Sequence, residues 1–458
     1  MASVAAPQSL FSGRLRATSG GMLVLITLIA FEAMAVAPAL PTAARDLHGV
    51  GAYGWAFTGF LAANIVGLIV SGQLSDAHGP RLPLITGMVL FVAGLVTAGT
   101  AVTMVQFILG RVVQGLSAGL LLTAVYVVIG EVYPEALRPK LFAAISTAWV
   151  VPSLVGPVVS GWVTENLSWR WVFLGLLPFV LVGCALMLSV LSTLRSSAHE
   201  HGKLADPRRI LHAFAVAAGI SALEAAGQRP SPVSLVVAAV GAVGLAWGLR
   251  TLLPAGTLRV RRGVSAPIAL RGLLAGAFFG MESVIPLSLT VQHGYTATQA
   301  GLPLACSGLT WALGSWWQGR PAVIDEQTHR VRLARNGFAF ITLAAFAVAL
   351  AVQPGLPGWL IYPAWGLAGI GAGLTMSTVG VLLLKYTNDR DRGTDSAALQ
   401  LSDATSSAVT AGLAGVLVAA AARGALGYTA AFTILDVTMG LVAIIGVLTA
   451  GQLRAPRT

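Results

Sequence analysis

The sequence predicts an all-α polytopic membrane protein, and two observations carry that prediction. Of the 458 residues, 56% are hydrophobic and only 10% are charged, which leaves too few polar side chains to cover a water-exposed globule. Apolar runs of about 18 residues or more, each long enough to cross about 30 Å of hydrocarbon as a helix, recur from Gly21 to the C-terminus. Because lipid offers the backbone no hydrogen-bond partner, these runs must be helical.

Clusters of charged residues, proline and glycine divide the chain into fourteen predicted transmembrane helices. The spans are predicted at 21–43, 54–75, 82–103, 106–130, 141–164, 169–194, 209–226, 233–253, 266–290, 297–319, 336–353, 358–384, 395–421 and 428–452. The expected fold is two six-helix halves plus an inserted two-helix hairpin. The predicted domains are an N-terminal segment 1–20, a first half 21–194, a linker 195–208, a hairpin 209–253, a basic linker 254–265, a second half 266–452 and a tail 453–458.

The basic residues predict that both termini are cytoplasmic, because cytoplasmic loops retain Lys and Arg more than translocated loops do. With that orientation, all but five of the 28 basic residues lie at or near cytoplasmic segments. The exceptions are Arg45, Arg111, Arg170, Arg229 and Arg423. The abundance of Ala, Gly and Arg hints at a bacterial source, so we expect a multi-pass protein of the bacterial inner membrane, its plasma membrane.

The formal net charge of +11 does not predict a nucleic-acid partner, because the basic residues are scattered singly between apolar runs. Cys184 and Cys306 lie inside apolar spans without metal-ligand neighbours, so no metal site is expected. The chain also carries no phosphate loop and no nucleophile elbow. We therefore predict no catalytic residues, no enzyme activity and no bound cofactor.

Five of the 17 acidic residues fall inside predicted spans, where a charge costs roughly 2.5 to 3.5 kcal/mol on insertion scales. They are Glu32, Glu224, Glu282, Asp403 and Asp436. Glu32 is the best functional candidate, because it lies at the centre of its span among small residues and desolvation there favours its protonated form. A structural carboxyl bonded to a neighbouring helix is the alternative.

The other polar residues within the spans leave two interpretations open. Glu282 and Asp403 could each take part in proton coupling or in helix packing, whereas Glu224 and Asp436 are more typical of structural groups. Arg111 could extend to the membrane interface or turn inward toward a carboxylate. Gln114, which lies one turn further on, favours the inward direction.

Tryptophans within the spans can line a cavity, whereas those near span ends are typical of an interfacial belt. Trp149 and Trp311 lie within their spans and are the better cavity candidates. The others considered, most of which should be belt or packing residues, are Trp55, Trp316, Trp317 and Trp365.

The turn after the second span reads GQLSDAHGPRLPL and resembles the GxLxDxxGxR loop signature of the major facilitator superfamily. The matching residues are Gly72, Leu74, Asp76, Gly79 and Arg81. In that family the loop acts as a conformational latch, and its glycines permit a tight turn. Ala77 stands where a basic residue is common, which is a departure from the usual charge network.

Three further stretches resemble signatures of the same family in the same order. RVVQG, from Arg111 to Gly115, resembles the fourth-span signature, whose arginine is associated with proton coupling. VGPVVSGW, from Val155 to Trp162, resembles the fifth-span GPxxGG signature of antiporters, matched by Gly156, Pro157 and Gly161. SWRWVFLGLLP, from Ser168, resembles the entry to the sixth span.

The first span resembles the LDxTIVNVALP pattern of fourteen-span drug:proton antiporters, with Glu32 in place of Asp and with Ala39, Leu40 and Pro41 matching. In the second span, Phe60 stands where a tyrosine is frequent. The resemblance implies two six-helix halves that form an alternating-access path, with proton coupling by Glu32 and Arg111. Glu282 and Asp403, as acids inside spans of the second half, are the expected assisting groups in proton coupling.

The function that the resemblance implies is export of a hydrophobic or drug-like molecule, with protons as the coupling ion. The expected substrate-binding residues are Phe60, Asn64, Tyr126, Trp149 and Trp311. Import or facilitated movement of a small metabolite or a lipid by a symporter or facilitator is the alternative, and a non-transporting membrane receptor is a second one. We expect the protein to act as a monomer in the lipid bilayer.

Overall fold

The fold is all-helical in the computed structural model, which describes residues 15–134, 137–191, 206–318, 327–388 and 392–454 together with Phe11. No strand occurs among these residues, which confirms the predicted all-α class for the described part of the chain. The helices are α1 (Leu15–Asp46), α2 (Trp55–His78), α3 (Arg81–Gly99), α4 (Met104–Val132), α5 (Arg138–Asn166), α6 (Arg170–Leu174), α7 (Leu177–Leu191), α8 (Pro207–Gln228), α9 (Pro232–Leu252), α10 (Ser265–Glu282), α11 (Ile285–Gln292), α12 (Ala297–Gln318), α13 (Gln327–Ala351), α14 (Ile361–Tyr386), α15 (Arg392–Ala422) and α16 (Tyr428–Thr449).

Twelve helical segments within the described residues are long and apolar enough to cross a membrane. Helices α5 and α12 are not among the twelve, although they contain 29 and 22 residues. Both carry many small and polar residues, and they pack against each other across the two halves of the chain. The count of fourteen spans therefore stays a prediction.

Local sequence signals explain where several helices begin. The Thr103 hydroxyl accepts a hydrogen bond from the Gln106 N–H at the start of α4, at 3.2 Å. Asp206 caps α8 in the same way, with Pro207 as its first residue. Ser231 caps α9 by a reciprocal pair of bonds with Ser234. These side chains satisfy N–H groups that have no partner within the helix.

Two predicted spans are broken helices in the structure. The sixth span divides into α6 and α7 near Gly175, and Pro178 follows in the first turn of α7. The ninth divides into α10 and α11 after Glu282, and Pro286 lies in the first turn of α11. Proline has no N–H to continue a helix and is tolerated in a first turn, so both breaks follow from the sequence.

Glycines let helices approach closely within each half. In the first half, Gly67 of α2 and Gly119 of α4 face each other's backbone, and Gly115 lies against the carbonyl of Phe60. In the second half, Gly337 of α13 and Gly371 of α14 make the corresponding approach. In lipid, where no hydrophobic force drives helices together, such small-residue contacts supply van der Waals packing.

Helices α8 and α9 form an antiparallel hairpin, joined by the turn at Arg229 to Ser231. Helix α8 packs against α2 in the first half and against α15 in the second. Helix α9 packs on α8, and only 11% of its most apolar 18-residue window is buried. The hairpin thus touches both halves through α8, and its origin as an insertion stays a prediction.

The two halves contact each other toward one end of the bundle. We call the end at which α1 begins and α16 ends the terminal face, and the other end the opposite face. Gly54, just before α2, packs on Gly415 of α15 near the opposite face. The Tyr53 hydroxyl there donates a hydrogen bond to the Ser283 carbonyl at 2.9 Å.

Helices α5 and α12 make the second contact between the halves. Gly161 lies against Thr298, Gly301 against Pro157 and, nearer mid-bundle, Gly308 against Ser153. Nearer the terminal face, a shallow open cavity of about 430 Å³ lies along α1 and α5, both in the first half. It is lined by Leu23, Thr27, Ala144, Ala148 and Val151. The described contacts between the halves therefore close the opposite face.

We expect Gly115→Ala to destabilise the protein, because its added methyl group would overlap the Phe60 carbonyl oxygen. Overpacking of this kind costs about 1 to 3 kcal/mol. Gly380→Ala in α14 is the matched control, because nothing lies within 4 Å of its added methyl group. The apparent unfolding midpoint in detergent, at one fixed heating rate, should fall for Gly115→Ala only. Equal midpoints for the two variants would contradict the close α2–α4 contact.

Candidate functional site

A buried ion pair joins α1 to α4 in the middle of the first half. The Arg111 Nη1 donates to Oε1 of Glu32, and these side chains are 2% and 1% exposed. Arg111 therefore turns inward and does not extend to the interface, which decides between the two orientations that the sequence left open. Two opposite charges therefore neutralise each other inside the buried core.

Neutral groups complete the surroundings of the Arg111 guanidinium. Its Nε donates to the Ala56 carbonyl at 3.2 Å, and Nη1 also donates to Oε1 of Gln114 at 3.1 Å. The Phe60 ring lies 4.4 Å from the guanidinium carbon, a cation–π distance. Phe60 thus contacts the ion pair through its ring face.

The ion pair leaves polar atoms unsatisfied. Within the described residues, Glu32 Oε2 and Gln114 Nε2 are buried and have no hydrogen-bond partner. A buried carboxylate oxygen without a partner is energetically costly, so this oxygen is the natural acceptor for a proton. The arrangement could therefore exist with Glu32 either ionised and paired or protonated and neutral.

A second ion pair joins α10 to α15 in the other half. Arg271 Nε donates to Oδ2 of Asp403 at 2.6 Å, and the side chains are 12% and 16% exposed. Sequence reasoning singled out Asp403 but missed Arg271, although a guanidinium six residues inside a predicted span was a usable signal. Tyr126 of α4 lies within electrostatic range of Arg271, on the other side of the path between the halves.

Glu282 is the last residue of α10 and lies at the break before α11, partly exposed. An aromatic cluster begins one turn earlier. The Phe278 ring packs edge-on against Trp311 with centroids 5.2 Å apart, and it stacks on Trp365 at 4.7 Å. Trp311 is half-buried whereas Trp365 is fully buried, so Trp365 is a packing residue and Trp311 stays a cavity candidate.

The remaining predicted substrate-binding residues lie on three helices of the first half. The Asn64 amide donates to the Gly115 carbonyl at 3.4 Å, which makes it a link between α2 and α4. Trp149 is half-buried on α5 and packs against the main core. Tyr126 is 40% exposed on α4. Of the five residues, Phe60 alone contacts the Glu32–Arg111 pair.

The loop between α2 and α3 turns tightly at a glycine. Gly79 ends α2 with a φ of 79°, a value that favours glycine. Gly72 lies inside α2 and is half-buried. Asp76 and Arg81 are both exposed, and the two ion pairs among the described residues do not include them. Their latch role stays a prediction.

The fifth-span glycines lie at helix contacts. Gly156 packs against Phe31 and Met34 of α1, whereas Gly161 and the Pro157 carbonyl face α12 of the other half. The motif therefore contributes to packing on two sides of α5.

The two acidic residues given a structural interpretation are both buried. Asp436 of α16 is 1% exposed, and its Oδ1 has no partner among the described residues. Glu224 of α8 is also 1% exposed, but it lies where α2 meets α15. Its position between the halves was not visible in the sequence, because the contact joins three helices that are far apart along the chain.

The single substitutions Glu32→Gln and Arg111→Gln should each destabilise the protein by about 3 to 5 kcal/mol, because each leaves a buried group without its partner. The double variant should recover most of that loss, since neither charge then remains. Apparent unfolding midpoints of the four proteins form a double-mutant cycle. The same cycle at the more exposed Arg271 and Asp403 is the control and should show weaker coupling. Additive effects at Glu32 and Arg111 would argue against a direct pair.

Comparison with known proteins identifies the family to which the chain belongs. The profile of the Major Facilitator Superfamily matches residues 22–404. An uncharacterized MFS-type transporter of Mycobacterium tuberculosis is 28% identical over 369 residues, which cover 77% of this chain and 52% of that protein. Multidrug resistance protein 3 of Bacillus subtilis is 22% identical over 395 residues, which cover 82% of this chain and 74% of that protein.

This chain spans about half or less of the length of the first curated relatives that it matches. Solved structures share its fold at low sequence identity. The human organic anion transporter TETRAN has 13% identity and a TM-score of 0.62, with 96% of this chain and 100% of that one covered. A peptide transporter of the POT type in complex with alafosfalin has 14% identity and a TM-score of 0.67, with 96% of each chain covered. The family profile covers most of the chain, and the protein belongs to the Major Facilitator Superfamily of membrane transporters.

Proposed function

We propose that this protein is a secondary active transporter that exports a hydrophobic or drug-like small molecule in exchange for protons, by alternating access. The observation that carries the proposal is the buried Glu32–Arg111 ion pair, which holds a carboxylate oxygen without a hydrogen-bond partner. The name of the Bacillus subtilis relative, Multidrug resistance protein 3, supports a drug-like substrate.

Proton binding changes the charge of this site. A proton taken up at Glu32 converts the carboxylate into a neutral acid and leaves Arg111 as an uncompensated cation. Its other contacts, the Ala56 carbonyl, Gln114 and the Phe60 ring, are neutral. Because an unpaired buried charge is costly, conformations that bring water to Arg111 become more favourable.

Helix α1 connects this charge change to the contact between the halves. Glu32 lies in the middle of α1, and Pro38, less than two turns further on, lies beside Gly301 of α12. A shift of α1 that relieves Arg111 therefore also changes the packing against the second half. This provides the differential proton affinity that coupling requires, because a ligand with equal affinity for two conformations shifts no equilibrium.

The orientation follows the distribution of basic residues. The terminal face is cytoplasmic, the membrane is the bacterial inner membrane, and the contacts between the halves close the outer face. The chain crosses the bilayer fourteen times as a monomer, with α5 and α12 as two of the spans. Packing of Gly161 and Gly301 between α5 and α12 supports this, since small-residue contacts are typical of helices packed within lipid.

The lining of the open cavity supports a hydrophobic substrate. Four of its five residues are aliphatic, and Thr27 supplies a single hydroxyl, which already donates to the Leu23 carbonyl. A pocket of this composition binds apolar molecules, and a few polar groups fix their orientation. Trp311 and Glu282 supply an aromatic face and an acid at the second half.

We expect Glu32→Gln to abolish proton-driven transport while substrate exchange continues, because the variant cannot change its charge. The measurement is uptake of ethidium into inside-out proteoliposomes under an imposed pH gradient, followed by ethidium exchange without a gradient. Gradient-driven uptake should fall to the level of empty liposomes. Asp206→Asn, which changes an exposed acid at the start of α8, is the control and should transport normally.

Glu282→Gln and Asp403→Asn belong in the same assay, where partial loss of gradient-driven uptake is expected from assisting groups. Unchanged gradient dependence in Glu32→Gln would remove Glu32 from the mechanism. Uptake that follows the proton into the vesicle, instead of opposing it, would establish symport.

A further inference from the structure

A carboxyl group of the hairpin lies at the contact between α2 and α15 that closes the opposite face. We call this contact the opposite-face gate. It is formed by Gly54 just before α2, by Thr58 of α2, and by Gly412 and Gly415 of α15. A methyl group added at Gly415 would lie 2.5 Å from Glu224 Oε1 and 2.7 Å from the Gly54 Cα. One added at Gly54 would also lie 2.7 Å from Oε1. The carboxyl therefore touches both walls of the gate.

The groups around this carboxyl are neutral. Gln228 Nε2 donates to Oε1 at 3.2 Å, and the Thr58 hydroxyl lies beside the side chain, near Gly412. In the part of the chain that the structure describes, the two ion pairs lie elsewhere. An ionised carboxylate with only neutral partners in a dry contact is costly, so the closed gate favours the neutral acid.

The charged groups at this end of the bundle do not compensate Glu224. Arg423, at the end of α15, donates to the Gln228 carbonyl and not to the carboxyl. Arg229 follows α8 in the turn toward α9. Helix α2 contributes no charged residue at this level, because its acid, Asp76, lies at the terminal face. Helix α9 contributes Arg250 at its far end.

Separation of the halves would change these surroundings. If α15 moved away from α2, the carboxyl would lose one dry wall and gain contact with water, which stabilises the ionised form. Glu224 would then bind a proton more tightly in the closed gate than in the open one. By linkage, a proton that binds one conformation more tightly also favours that conformation.

We propose that Glu224 is a proton-binding site of the hairpin, which takes up a proton as the opposite-face gate closes and releases it as the gate opens. This inference rests on the alternating-access function proposed above and adds a second proton site to it. It also gives the hairpin a role, because α8 packs against helices of both halves.

A second carboxylate lies at the opposite face, and its protonation would weaken the closed gate, whereas protonation of Glu224 would stabilise it. Glu165 of α5 accepts a hydrogen bond from the Thr298 N–H at the start of α12. Partial burial alone would raise its pKa, but the hydrogen bonding at the start of α12, first of all from the Thr298 N–H, lowers the pKa of Glu165 overall. Its contribution to closure is therefore present above the ordinary pKa of glutamate and is lost as the pH falls through the lowered value.

The test is a distance measurement across the gate in the full chain, reconstituted in lipid nanodiscs. Spin labels at Gly51→Cys and Ala425→Cys report the gap, in a background in which Cys184→Ser and Cys306→Ser remove the native thiols. Distances are recorded at about pH 6 and about pH 9, since desolvated glutamates titrate as high as about pH 8 to 9. Each unit of difference in pKa between open and closed gates changes the ratio of the two populations about tenfold.

The parent protein should show a larger open population at the higher pH. Glu224→Gln should remain closed at both pH values, because its side chain cannot ionise. Glu224→Met, an apolar side chain of similar length, is the second variant and should behave in the same way. Glu165→Gln is the control: it should increase the open population at both pH values and keep the pH response.

Three results would overturn the proposal. An unchanged pH response in Glu224→Gln and Glu224→Met would assign the proton to another group and leave alternating access intact. If the gate widens in Glu165→Gln but the parent protein shows no pH response, the gate can open, but its opening does not depend on a proton at Glu224. A gate that keeps one distance in every variant would contradict both this inference and alternating access.

Discussion

The structure depends on one constraint, that charges placed in a nearly dry helix bundle need a partner there. Glu32 and Arg111 satisfy it together, and their contact fixes α1 against α4. Neither residue could remain ionised alone at this depth without a large cost. The pair is therefore both a packing element of the first half and a site whose net charge changes by one when a proton arrives.

Glycines form the close contacts between helices, both within each half and between the halves. Helices α2 and α4 approach through Gly67, Gly115 and Gly119 within one half. Between the halves, Gly54 meets Gly415 by the same close approach. Contacts between small residues lose little side-chain packing when they part, because no side chain interlocks across them. The gate between halves can thus be tight without being permanent.

The carboxyls of Glu32 and Glu224 differ in where they lie relative to the two halves and in what surrounds them. Glu32 is inside one half and has an arginine partner, so its protonation breaks an ion pair. Glu224 lies between the halves among neutral groups, so its protonation removes a charge from the contact itself. Protonation of Glu32 would act on the contact between the halves through a movement of α1. Protonation of Glu224 would stabilise the closed gate directly.

The sequence by itself determined the membrane character, the helical class and the family, because these depend on apolar run length and on short local motifs. It also singled out Glu32 and Arg111 separately, since charged residues within apolar runs are conspicuous. Only the tertiary structure decided that they pair, that Arg271 neutralises Asp403, and that Glu224 reaches the gate. Each of these contacts joins helices that are distant along the chain, and helical periodicity does not specify which faces of separate helices meet.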